Sequence, residues 1–200
     1  MSSAIEPSIK SRPVYGTLKA AKAPAHLLIA DAEGGEAVLD LVSAAPSDFL
    51  ANTEICYVPG TVDHSVALQA LGAPRFYTGP SIAAMLSRLQ RTLERMHMGT
   101  QIYLAGSESL IGLAMKTAME ANIDFEAIQT EHRGTLARRV QCVHCKGITE
   151  NVTTQPADCA HCGLLLLVRD HYSRRYAAFQ GVNINAEDPS DIPPKEEMFT

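Results

Sequence analysis

Apolar positions recur in two alternating rhythms over the first two thirds of the chain. Short apolar runs stand at 26–30 (His26, Leu27, Leu28, Ile29 and Ala30), 55–58 (Ile55, Cys56, Tyr57 and Val58), 75–77, 101–105 and 125–128. Their length and their Gly and Pro boundaries are those of buried strands. Between them apolar residues return every three or four positions, which buries one face of a helix. Ala37, Val38, Leu41, Val42 and Ala45 do so up to Pro46, after Gly34 and Gly35, which read as a turn. A short helix at 66–71 ends at Gly72. Ile82, Met85, Leu86, Leu89, Leu93 and Met96 line the longest helix, with Arg88, Arg91, Glu94 and Arg95 mostly off that face. Pro80 fits its first position and Gly99 its end. After the turn at Gly106 and Ser107, Leu110, Ile111, Ala114, Met115, Ala118 and Met119 form the last buried face. The methionines at this spacing fill core gaps.

Strand followed by helix, repeated, means parallel strands joined by crossover helices. The fold class read here is α/β: a parallel, doubly wound sheet over 25–134, followed by a small β domain. The rhythm breaks at Arg133 and Gly134. Beyond them come β-like runs at 164–168 and 176–179 without helical period, and 135–182 is expected as a separate domain. Residues 1–24 hold prolines, serines and lysines and read as a flexible arm, with Val14 and Tyr15 docked on the body. Residues 183–200 are acidic and proline-bearing, and a loosely ordered tail is expected.

The β domain carries the chemistry. Cys142 and Cys145 form one Cys-x-x-Cys pair and Cys159 and Cys162 another, 13 residues apart; they are four of the chain's five cysteines. Thiolates two residues apart both point into one tight turn, and two such turns place four sulfurs around a tetrahedral ion such as Zn²⁺. Two disulfides would need an oxidising compartment. A thioredoxin-like redox site is a single pair ahead of a helix. Iron also accepts four sulfurs, which would make this a rubredoxin-like electron carrier. Rubredoxin cores are aromatic, whereas this chain has no Trp. His144 and His161 lie inside the pairs and are expected on the exposed turns. Four thiolates leave no open position, so the ion is read as structural. The fifth cysteine, Cys56, sits in a strand-like run and is read as a small core residue.

Composition narrows the classes further. Hydrophobic residues make up 46% and charged residues 20%, an ordinary globular balance. Net charge is −5, with no clustered basic face to favour nucleic acid or an anionic membrane. No apolar run is long enough to span a bilayer, the first residues lack the features of a secretory leader, and a cytoplasmic protein is expected.

Ligands of doubly wound sheets bind at the carboxyl ends of strands. Two turns qualify: Asp31-Ala32-Glu33-Gly34-Gly35 and Ala105-Gly106-Ser107-Glu108-Ser109. The run 102–107, the helix after it and 125–131 resemble the last third of the NAD-binding domain of ferredoxin reductases. That makes Gly106 and Ser107 the candidate cofactor-binding residues. The family's Cys-Gly-Pro turn is Ala105-Gly106-Ser107 here, without its thiol and proline. Asp31 and Glu33 would set carboxylates beside a bound pyrophosphate, so weak or no binding of NADH or NADPH is expected.

Residues 142–182, with the run His171-Tyr172-Ser173-Arg174-Arg175-Tyr176-Ala177-Ala178-Phe179-Gln180-Gly181-Val182, resemble the C-terminal domain of the small A-subunit family of bacterial dimethylamine monooxygenases. The α/β part is similar to that family in length and order. The resemblance implies a multi-subunit haem monooxygenase that oxidises dimethylamine to methylamine and formaldehyde with O₂ and NAD(P)H. Haem would sit in one partner subunit, and flavin with [2Fe–2S] in a reductase subunit. This chain would be a non-catalytic zinc-binding subunit supporting assembly or electron delivery. A nicotinamide-binding or electron-transfer component is the alternative. Tyr172, Arg174, Arg175, Tyr176 and Phe179 have the composition of an interface, or else of packing around the ribbon.

Overall fold

The computed structural model describes residues 12–124, 127–188, 190 and 192–200. The described residues divide into two compact units, Tyr15–Leu136 and 137–200 with 12–14. Among the described residues no helix is long and apolar enough to cross a membrane.

The first unit is the expected α/β domain. β1 (His26–Asp31), β2 (Thr53–Val58), β3 (Arg75–Thr78), β4 (Gln101–Gly106) and β5 (Ile128–His132) form one parallel sheet in the order β3-β2-β1-β4-β5. α1 (Gly34–Ala44), α2 (Ser65–Ala70), α3 (Ile82–Leu93) and α4 (Glu108–Glu120) make the crossovers. All six residues of β1 and of β2 are buried, as a sheet covered on both faces requires. Leu27 and Ile29 join a core with α3 and α4 on one face, while Leu28 and Ala30 join a core with α1 on the other. This alternation follows from the two-residue period of a strand.

Several boundaries differ from the pattern. Gly34 and Gly35 are not a turn but the buried first residues of α1. A Cβ on Gly34 would collide with the Ala105 carbonyl and one on Gly35 with the His64 ring, so the glycines let α1 approach β4 and the α2 entry. Ser81, not Pro80, begins α3: its hydroxyl accepts from the Ala84 amide at 3.2 Å, and Met96 lies past the helix end. β5 begins at Ile128; Phe125 and Glu126 of the expected strand lie outside the described residues. Residues 15–24 run along the domain with bonds of their own. The Gly16 amide donates to the Thr130 carbonyl, Leu18 to the Glu131 carboxylate at 2.7 Å, Lys19 to Gln129, and Ala21 to the Tyr103 hydroxyl. Leu18 is buried.

The second unit is built on a mixed sheet in the order β7-β6-β11-β10-β9. Its strands are β6 (Arg138–Cys142), β7 (Ile148–Val152), β9 (Ala157–Asp158), β10 (Leu165–Ser173) and β11 (Ala178–Asn183), while β8 (Thr154–Gln155) pairs separately with β12 (Glu196–Glu197). β11 therefore starts later than the run 176–179: Tyr176 and Ala177 form the turn, with Ala177 at φ +48°. The acidic end of the chain returns to the unit. Phe199 is buried, and both it and Phe179 lie 4.1 Å from the Arg138 guanidinium.

Candidate metal centre and the closed crevice of the sheet

Two copies of one tight turn hold the cysteines. In the first, the Cys142 amide donates to the Gly147 carbonyl at 2.9 Å, and the Lys146 amide returns to the Cys142 carbonyl at 3.0 Å. In the second, the Cys159 amide donates to Leu164 at 2.9 Å and Gly163 returns to Cys159 at 3.0 Å. Lys146 and Gly163 occupy matching positions and both take positive φ, +64° and +73°. Glycine adopts this freely, whereas Lys146 is held there and its ammonium donates to the Val143 carbonyl at 2.6 Å.

The four Sγ atoms lie within 4.8 Å of one another. Cys142 and Cys162 are 3.9 Å apart, and Cys145 and Cys159 3.6 Å. Sulfurs at the corners of a tetrahedron about an ion ~2.3 Å away stand about 3.8 Å apart, so these residues fit a metal. A disulfide would need about 2.05 Å. Cys142 and Cys159 are buried, Cys145 is partly buried and Cys162 is exposed.

The electrostatics agree with a cation site. Burial acts to raise the Cys159 thiol, but the amides of Cys162 and His161 and the neighbouring thiols bring it down to about 6. At Cys162 the Leu164 amide favours the thiolate, yet desolvation and the hydrogen bonds to Cys159, Cys145 and Cys142 push it up to about 12. One thiolate is accommodated and the next resisted, so a cation binding here would displace protons from the remaining thiols.

His144 and His161 are both exposed and lie outside the cluster of four. The His161 Nε2 bonds the Ile148 carbonyl at 2.9 Å, and its ring covers Gly147, where a Cβ would collide with it. The histidine thus ties one turn to the other through the backbone. The pairing of His161 with Gly147 has no sequence signature beyond a glycine just after a Cys turn.

The α/β unit has its own candidate site at the switch point between β1 and β4, where the strand order reverses. Asp31 ends β1 and Gly106 ends β4. The Asp31 carboxylate accepts from the Ser107 amide at 2.7 Å and from the Ser107 hydroxyl at 2.6 Å. The Ser107 hydroxyl also caps α4, accepting from Leu110 at 3.2 Å. Asp31 is 6% exposed, and burial pushes its carboxyl above the usual range against the opposing Ser107 bonds. A helix N-terminus at this place is where a phosphate would bind. Here the chain's own carboxylate takes the donors. Gly106, at φ +122°, leaves that carboxylate its room: a Cβ there would fall inside it.

The rest of the sequence candidates divide cleanly. Cys56 is buried beside Glu54, and burial first, then the Glu54 charge, push its thiol up to about 12, the state of a core residue. Phe179 is core, with Tyr172 edge-on at 5.1 Å. Tyr176 is 41% exposed with Arg175 over its ring, and Arg174 and Arg175 are exposed beside it, so the turn of the run faces outward. Sequence reasoning missed the ion cluster on Glu54, which bonds Arg75 at 3.1 Å and Arg88 at 2.8 Å. Its one sequence signal is the arginine row at 88, 91 and 95 along α3 and its end.

Comparison with known proteins adds the family. The model of the N-terminal domain of dimethylamine monooxygenase subunit DmmA-like proteins matches residues 7–128, and that of their C-terminal domain matches 139–182. The heme-dependent oxidative N-demethylase delta subunit of Ectopseudomonas mendocina (strain ymp) is 30% identical over 124 residues, covering 62% of this chain and 69% of the relative. Two solved structures show weaker similarity. An intact type IV self-sufficient cytochrome P450 monooxygenase aligns with TM-score 0.42 and 19% identity, over 61% of this chain and 17% of that one. Full-length CYP116B46 from Tepidiphilus thermophilus aligns with TM-score 0.40 and 18% identity, over 64% and 18%. The chain spans less than a fifth of either solved chain.

Proposed function

The chain belongs to the DmmA-like family of dimethylamine monooxygenase subunits, and on that premise we propose that it is a non-catalytic, zinc-binding subunit of a haem-dependent dimethylamine monooxygenase. Its place as a subunit of a multi-subunit monooxygenase rests on the relative, itself a delta subunit. The whole complex would oxidise dimethylamine to methylamine and formaldehyde with O₂ and NAD(P)H, in the cytoplasm. Haem would belong to one partner, and flavin with [2Fe–2S] to a reductase partner. Cys142, Cys145, Cys159 and Cys162 would hold Zn²⁺, which supplies a four-way cross-link and no reactive position. The ribbon then presents a rigid face, with Arg175 and Tyr176 outward, for assembly or electron delivery.

The observation that carries this reading is the pairing of a thiol cluster with a crevice closed by Asp31. The first needs a structural ion. The second fills the N-terminus of α4, one of the helix ends at which the phosphates of a nicotinamide dinucleotide would bind, with the chain's own carboxylate. We therefore place reduction and oxygen chemistry in the partners, and give Gly106 and Ser107 the task of holding Asp31.

Purification of the tagged subunit from its native host tests the reading. A haem protein and a flavin–iron–sulfur reductase should accompany it, with about one zinc per chain, since four thiolates satisfy one tetrahedral ion. A red protein carrying iron would favour the electron-transfer alternative. Micromolar NADH or NADPH binding by the lone chain, measured by calorimetry, would return the nicotinamide role to this subunit.

A further inference from the structure

The amino-terminal edge of the parallel sheet, at the opposite end of the strands from Asp31, holds a cavity of about 450 Å³. That is within the range of small-molecule sites. Arg75 at the start of β3, Arg88 on α3, and Arg95 and His97 beyond its end line it. Glu54 is the single carboxylate in the lining, and both its oxygens are already bonded, one to Arg75 and one to Arg88. Three guanidinium groups against one carboxylate leave a local charge of +2, in a chain whose net charge is −5. Each guanidinium carries five donor hydrogens, more than one carboxylate can occupy. The Arg95 side chain bonds through Nε to the Arg91 carbonyl at 3.1 Å. Two polar atoms of lining residues, Arg88 Nε and Thr92 Oγ1, are buried without a hydrogen-bond partner.

Buried polar atoms are ordinarily paired, and an excess of fixed positive charge in a concave site attracts anions. We propose that this cavity binds a small organic oxyanion, a phosphate ester or a carboxylate, clamped by Arg88 and Arg95. Arginine suits this because its planar fork meets two oxygens at once. The volume exceeds what a bare oxyanion fills, so the ligand has an organic part that lies along the apolar side of Met96 and Leu27. Glu54 is then a positioning residue: it holds Arg75 and Arg88 in place without touching the ligand.

Calorimetry and thermal melting of the full chain with inorganic phosphate, pyrophosphate and citrate, at constant ionic strength set with KCl, test this. At least one probe should bind saturably and raise the melting temperature. Arg95→Ala, at an exposed position, should melt like wild type without ligand but bind the probe about tenfold more weakly, the usual loss of a charge-assisted bond. Phosphate or pyrophosphate binding alone marks a phosphate ester as the ligand, and citrate binding alone a carboxylate. The proposal is overturned if no probe binds saturably, if KCl alone gives the same stabilisation, or if Arg95→Ala binds as tightly as wild type.

Discussion

The two units of the chain solve the same problem by different means. In the α/β unit every strand residue of β1 and β2 is buried, and separate apolar cores cover the two faces of the sheet. In the ribbon unit the described residues form a single smaller core, and two of its members, Cys142 and Cys159, are thiols of the four-cysteine cluster. Its edge strand β7 alternates poorly, with Glu150 and Asn151 exposed. A parallel sheet between helices is held by burial, which scales with area removed from water. A short mixed sheet lacks that area and depends on cross-links. The same contrast separates the units' anionic groups. The ribbon gathers thiols that require an added cation, whereas the α/β unit satisfies Asp31 from its own helix N-terminus.

The largest expected effect breaks the ribbon and spares the sheet. Removing the metal with a chelator, or replacing Cys159 with Ser, should unfold the ribbon while the α/β unit keeps its structure. Apparent metal-binding energies of about 10–16 kcal/mol in comparable small modules set the scale. Limited proteolysis reads the outcome: a ribbon as resistant as in wild type would mean that the metal is not structural.

The converse break is Gly106→Ala. A Cβ there meets the Asp31 carboxylate, at a backbone angle that side chains rarely adopt. We expect a loss of about 3 kcal/mol from the α/β unit, with the metal content unchanged. Thermal melting and metal analysis of one sample separate the two.

A test of similar size weighs burial inside the ribbon. Phe199→Ala removes a buried ring stacked on Arg138. A loss near the lower end of the range for buried Phe, about 3 kcal/mol, is expected. Denaturation with the metal bound should still show it. If it did not, the cross-link alone would account for the unit.

The smallest effect is a pH dependence. The Asp31 carboxyl is raised in the folded state, so its proton favours folding. Its contribution is present in full below the unfolded value of about 3.9 and fades as pH rises through the folded value. Wild type should therefore gain stability relative to Asp31→Asn as pH falls from about 7 towards 4. Equal slopes for the two proteins would show that burial does not penalise this charge. Glu33, the nearby carboxylate that also raises Asp31, is retained in both.

Much of this was legible along the chain, because it depends on period and spacing alone. The strand–helix order from His26 onward requires a parallel sheet, and the 142/145 and 159/162 spacing brings four thiols together through two local turns. Local chemistry even marked Asp31 as hostile to a phosphate. Its actual partner, Ser107, lies 76 residues away, and only the order of the strands makes them neighbours. The same holds for Gly34 beneath the Ala105 carbonyl, for Gly147 under the His161 ring and for Phe199 on Arg138. The basic cavity is the extreme case: it needs Glu54, Arg75 and Arg88 from three elements, none of which carries a motif. Periodicity is a property of adjacent residues, so sequence alone determined the elements and the metal-binding turns. Close approach between distant segments is a property of packing, so the tertiary structure alone decided which donors were already taken and which were left open.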